Sequence, residues 1–283
     1  MPEPRILLTG LAIGESPRWH EDRLWFTNWG TQEIVRLDLD GKSEIVAQVP
    51  TTLPYSIDWL PDGSLLVVSG REALVLRQEP GGPLVIHADL TSLGPVFNEI
   101  AVDGRGYTYV NGGGSDPTAG AAFAPGIVAL VTPDGSVRQV ADGIEFGNGM
   151  AVTPDNSTLI VAESYGHRLT AFDIGAGGGL SNRRVWADLG AGVPDGICID
   201  AEKAVWYADV PNRCCVRVRE GGAVLQAIEL DRGCFACMLG AADGRTLFMM
   251  AAEWRGMENM TDDARTGQVL IAEAPAPGDG CRS

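Results

Sequence analysis

A chain of 283 residues, 45% of them hydrophobic, has enough apolar material for one large domain with a sizeable core. Its net charge of −16 argues against nucleic acid and anionic membrane surfaces as partners. The 37 glycines and 17 prolines favour short strands and tight turns over long helices.

In chain order, residues 5–9 (RILLT) come first, an apolar segment with no neighbour to pair with in the local sequence. Six hairpin patterns follow, each an apolar run, a turn and a second apolar run, at 16–26, 56–68, 99–110, 149–161, 196–207 and 237–249. Their turns carry Asp22, Asp62, Arg105, Asp155, Glu202 and Asp243, and an apolar residue stands four positions after each. Third strands are expected at 33–38, 73–77, 126–131, 168–174, 215–219 and 267–272, and outer strands at 44–49, 84–88, 137–141, 184–188 and 224–228. The sixth repeat runs out of chain after Ala274, so residues 5–9 are expected to supply its fourth strand. A repeat of roughly 40–50 residues with four short strands is the period of propeller blades. The expected fold is therefore all-β, a single six-bladed β-propeller over residues 1–283, closed by the N-terminal strand.

Residues 112–126 (GGGSDPTAGAAFAPG) interrupt the third repeat and read as a loop over one face, a candidate lid. Residues 259–265 form a polar insertion in the last repeat. Cys234 and Cys237 form a CxxC pair, but no second pair completes a tetrahedral zinc set, so the six cysteines are expected to be structural thiols. The N-terminal stretch has no basic region followed by a long apolar run, which gives the expectation of a cytoplasmic location.

The start of each innermost blade strand faces the central channel. In register, those positions are Glu15, Tyr55, Asn98, Asn148, Asp195 and Ala236. Four of them offer carboxyl or amide oxygens and two of those are carboxylates, the donors that a hard divalent cation takes. Asn148 and Asp195 precede glycines, as turn residues do, but their apolar strands come after them, which marks axial positions and not hairpin tips.

Four segments carry a family resemblance: Gly14-Glu15-Ser16-Pro17-Arg18-Trp19, Phe97-Asn98-Glu99, Gly147-Asn148-Gly149-Met150-Ala151-Val152-Thr153-Pro154-Asp155 and Pro194-Asp195-Gly196. In this order and at blade spacing, the chain from about residue 14 to 270 resembles the SMP-30/gluconolactonase/LRE-like family. The resemblance implies a six-bladed propeller with one divalent metal ion, commonly calcium or zinc, and hydrolysis of lactones. It implies Glu15, Asn148 and Asp195 as metal ligands, Asp195 also as general base, and Asn98 as a residue near metal or substrate. No G-x-S-x-G elbow is present, so a serine nucleophile of the α/β-hydrolase kind is not expected.

The chain departs from the sugar-lactonase pattern at two positions. Val96 stands where those members carry an arginine, and Glu99 where they carry an aspartate. Val96 gives a sugar hydroxyl no donor, which points to a lactone or ester less polar than a sugar lactone. Tyr55, Phe97, Glu99, Phe146 and His167 are candidates for substrate contact beside Asn98, with Trp19 and Trp254 as further aromatics for the same face. The alternatives are a propeller that binds or scaffolds without catalysis, and a strictosidine-synthase-like or quinone-dependent dehydrogenase chemistry on the same frame.

Overall fold

A computed structural model describes residues 3–51, 53–115, 122–256, 259 and 264–279, and among these residues twenty-four strands form six antiparallel four-stranded sheets. No α-helix occurs among the described residues. The innermost strands of the six blades are β2 (Ile13–His20), β6 (Tyr55–Trp59), β10 (Phe97–Val102), β14 (Gly147–Val152), β18 (Pro194–Ile199) and β22 (Gly233–Gly240). Each pairs with the next strand in sequence: β3 (Arg23–Trp29), β7 (Leu65–Ser69), β11 (Thr108–Gly112), β15 (Thr158–Glu163), β19 (Val205–Asp209) and β23 (Thr246–Ala252).

The sixth blade is completed from the other end of the chain. β1 (Arg5–Leu11) pairs antiparallel with β24 (Gly267–Glu273), so the sheet order is β1-β24-β23-β22. First and last strands thus share one sheet, and that pairing closes the ring. The third strands fall within one residue of their expected bounds, whereas the fourth blade's outer strand starts early, at Leu180.

The described apolar core falls into six clusters; five bridge two neighbouring blades, and the one between the first and second blades also takes in Val210, Phe235 and Ala252. Phe26, Phe248 and Met250 pack across the closure, and Tyr109, Leu159 and Phe172 pack between the third and fourth blades. Cys198, Cys215, Cys234 and Cys237 are free, buried thiols between the fifth and sixth blades, as expected of small apolar side chains. Of the candidate lid, residues 116–121 lie outside the described residues, as does most of the 259–265 insertion. Cys281 lies outside them too.

Candidate functional site

Five of the six inner hairpins contain a β-bulge at the channel end. The register shifts between Glu15 and Arg18, Phe97 and Ile100, Gly147 and Met150, Pro194 and Ile197, and Cys234 and Ala236. An extra residue on one strand turns a side chain out of the ladder. In this way Glu15, Asn98, Asn148 and Asp195 come to line one cavity of about 290 Å³.

Two blades depart from the register read from sequence. The hairpin β6–β7 has no bulge, and Tyr55 stays in the ladder, fully buried, with its hydroxyl donating to the Asn28 carbonyl at 2.6 Å. Leu53 and Pro54 line the cavity in its place. In the sixth blade the bulge delivers Phe235 to the cavity, while Ala236 is buried in the blade interface.

A bulge leaves backbone groups without ladder partners, and buried carbonyls need donors. Side chains from the neighbouring strands supply them. Thr27 Oγ1 donates to the Glu15 carbonyl (3.0 Å), Ser56 Oγ to the Asn98 carbonyl (2.9 Å) and Ser164 Oγ to the Pro194 carbonyl (2.7 Å). Asn111 Nδ2 donates to the Asn148 carbonyl. Asp209 accepts from the Val193 amide at 2.9 Å, pinning the segment before Asp195. These buried polar residues were not singled out in the sequence. The available signal was a Thr, Asn or Ser inside an otherwise apolar strand, as in Phe26-Thr27-Asn28-Trp29 and Tyr109-Val110-Asn111.

Glycines let the inner strands converge. A Cβ on Gly149 would stand 2.6 Å from the Ile197 nitrogen and 2.7 Å from the Asp195 carbonyl oxygen. One on Gly196 would stand 2.6 Å from the Ala236 Cβ. The glycine after each of Asn148 and Asp195 is therefore required by close packing at the axis, not by a turn.

The cavity floor is electrostatically unbalanced. Glu15 is buried, and its carboxyl is pushed up to about 8, first by burial and then by the charge of Glu99. Asp195 is raised well above the usual carboxylate range, again first by burial and then by the charge of Glu15. Asp195 Oδ1 is buried with no hydrogen-bond partner. Asn98 Nδ2 donates to Asn148 Oδ1 at 3.2 Å, and Asn148 Nδ2 donates to Ser164 Oγ at 3.4 Å.

This donor set fits a divalent cation. Two carboxylates destabilised by burial and mutual repulsion are what a dication offsets, and Asn148 Oδ1 keeps a second lone pair. Among the described residues no group of three or more His, Cys, Asp or Glu side chains forms a ligand set. Glu15, Asp195 and Asn148 together offer carboxylate and amide oxygens, the donor type that hard divalent cations take.

Of the other expected contacts, Phe146 and Trp254 line the cavity. Glu99, Phe97, His167 and Trp19 do not, although Glu99 and Tyr55 border a small void that Glu15, Asn98 and Asn148 also line. Glu99 turns beneath the floor, where Oε1 accepts from Ser16 Oγ (3.1 Å) and lies 3.6 Å from the Arg18 guanidinium. Phe97 is buried in the cluster between the second and third blades. His167 sits at a left-handed position (φ 50°) and its Nδ1 lies 2.9 Å from the Gly192 carbonyl oxygen, outside the cavity. Trp19 stacks on Phe248 and lines a different cavity, with Arg18 and Met238. Arg71, unremarked in the sequence, is the one basic side chain among the described lining residues, and its Nε donates to the Leu53 carbonyl at 3.0 Å.

Comparison with known proteins gives a consistent picture. The pattern of the SMP-30/Gluconolactonase/LRE-like region matches residues 13–253. Regucalcin of Xenopus laevis is 29% identical over 252 residues, covering 85% of this chain and 83% of that one. Pentonolactonase XacC of Haloferax volcanii is 26% identical over 230 residues, covering 80% and 76%. The crystal structure of a calcium-binding protein, regucalcin, from Agrobacterium tumefaciens superposes with a TM-score of 0.78 at 20% identity, covering 98% of this chain and 95% of that one.

Proposed function

The chain belongs to the SMP-30/Gluconolactonase/LRE-like family, and from that premise we propose that it hydrolyses a lactone or related ester with one divalent cation, calcium foremost, at the axial cavity. Glu15, Asn148 and Asp195 would hold the ion, which when bound supplies Lewis acidity toward the ester carbonyl and acidifies nearby water. Asp195 acts as general base: it accepts a proton from the water that attacks the carbonyl carbon, then returns it to the alkoxide released as the ring C–O bond breaks. The product is the hydroxy acid. Asn98 orients the Asn148 amide through its donated hydrogen bond, and Ser164 steadies the segment that bears Asp195 through the Pro194 carbonyl. The apolar walls above the floor limit access of bulk water and strengthen every charge interaction there.

One observation carries this reading: a buried Asp195 oxygen without a partner, at the floor of a cavity it shares with Glu15. The pentonolactonase relative supports lactone chemistry over mere binding. Purified protein, assayed by proton release against a panel of lactones and esters, is expected to lose activity to a chelator and to regain it with calcium. Asp195→Asn and Glu15→Gln are each expected to lower kcat/KM by about 100-fold or more, with lost metal content. Unchanged hydrolysis and unchanged metal in both variants would remove the assignment.

A further inference from the structure

The axial cavity is strongly partitioned. Its carboxyl and amide groups, Glu15, Asn98, Asn148 and Asp195, come from the inner hairpins at the axis, while Ser115, Ser164 and Tyr165 add hydroxyls from loops. Its walls are mostly apolar, and two of them are aromatic. On one side Phe146 and Tyr165 stack at 4.6 Å and 18°, with Phe123 at 5.0 Å from Tyr165. Another wall holds Phe235 and Trp254, edge to face at 6.0 Å.

Three of these rings are held partly in water: Phe123 is 47% exposed, Tyr165 51% and Trp254 42%. Large aromatics gathered at the wall of a cavity, and not scattered singly, mark a binding surface. Phe146 adds an independent sign. Its backbone is in the left-handed region (φ 57°), an unfavourable place for a bulky aromatic. The surrounding structure enforces it. The Ser164 amide donates to the Phe146 carbonyl at 3.0 Å, and the preceding Glu145 amide donates to buried Glu163 Oε2 at 2.7 Å. Strain kept by such bonds at a cavity wall indicates that the ring has work there.

From these observations we infer the substrate class: a lactone or ester carrying an aryl or similarly flat apolar group, with the reactive carbonyl at the polar floor and the ring between the aromatic walls. The inference rests on the hydrolase reading and sharpens it. A cavity of about 290 Å³ takes one small molecule of this kind. A sugar lactone brings several hydroxyls, and against Val96, Val193, Val210 and the rings most of them would lose water without gaining a partner.

The test compares 3,4-dihydrocoumarin with D-glucono-1,5-lactone on the calcium-loaded protein. The expected ratio of kcat/KM is about 100-fold in favour of dihydrocoumarin. Tyr165→Ser is expected to raise KM for dihydrocoumarin about tenfold with little change in kcat, and Tyr165→Phe to restore it, because the stacked face and not the hydroxyl is used. A ratio near one, or a preference for gluconolactone, would overturn the substrate class while leaving the hydrolase reading intact. A strong preference for dihydrocoumarin that Tyr165→Ser does not move would remove the aromatic wall as its cause. Absence of hydrolysis of both, with calcium, magnesium, manganese or zinc supplied, would overturn the class and the hydrolase reading together.

Discussion

Glu15 is buried and Asp195 half-buried, and burial and then carboxylate neighbours push both carboxyls up, with Arg18 only partly offsetting the effect at Glu15. Glu163 is the instructive contrast. It is fully buried, but Arg168 Nη2 stands 2.9 Å and Arg183 Nη2 3.1 Å from its oxygens, and Thr170 and the Glu145 amide also donate to it. Burial pushes the Glu163 carboxyl up, yet the bonds from Arg168, the Glu145 amide and Thr170 outweigh it and hold the group below its usual range. One carboxylate is satisfied by its own chain; the other two are the ones proposed to hold a cation. Because the folded state binds the Glu163 proton less tightly than the unfolded state, its contribution to stability is complete above the unfolded value of about 4.3. It fades as pH falls through the lower folded value. Glu163→Gln is therefore expected to destabilise by roughly 1–3 kcal/mol at pH 7, with the gap from the parent narrowing below about pH 4. Urea titrations at pH 7, 5 and 3.5 check this; a gap that widens in acid would contradict it.

At the scale of the strand, the site is a product of bulges. The sequence period located the axial end of each blade, because turn residues and apolar runs repeat at fixed offsets from Asp22 to Asp243. It could not reveal which hairpins are bulged, since a bulge inserts one residue without altering composition. Tyr55 and Ala236 therefore looked equivalent to Asn148, although β6 pairs regularly and the sixth blade turns Phe235 to the cavity. The turn-like pairs Asn148-Gly149 and Asp195-Gly196 were legible as axial, but the reason for their glycines lies in strand-to-strand approach, which only the packed ring displays. Gly149→Ala would drive a methyl into the Ile197 nitrogen and the Asp195 carbonyl. It is expected to destabilise by about 1–3 kcal/mol and to cut metal affinity at least tenfold through the displaced Asp195. Thermal melts together with calcium titration measure both effects, and a Gly149→Ala protein with parental melting and affinity would refute the packing argument.

The whole molecule is a ring held by six inter-blade clusters and one terminal pairing. Ring closure was readable because the sixth repeat lacked a strand and residues 5–9 were apolar and unassigned. The aromatic walls were harder to read: Phe123 and Tyr165 lie in loops of different blades, and nothing in their spacing brings them together. Removing residues 1–11 would expose the edge of β24 and uncover Val269 and Ile271, which β1 and the first blade bury. The truncated protein is expected to melt about 10 °C or more lower and to aggregate at micromolar concentration. Light scattering and calorimetry against the full chain decide it, and a truncated monomer with parental melting would show that the ring does not depend on this strand.

The central claim is that side-chain oxygens from three blades meet at one cation. A crystal structure grown in calcium tests it most directly. The expected result is a single ion on the axis with oxygens of Glu15, Asn148 and Asp195 all within about 2.3–2.6 Å. An ion bound elsewhere, or these three side chains too far apart to share one, would contradict it.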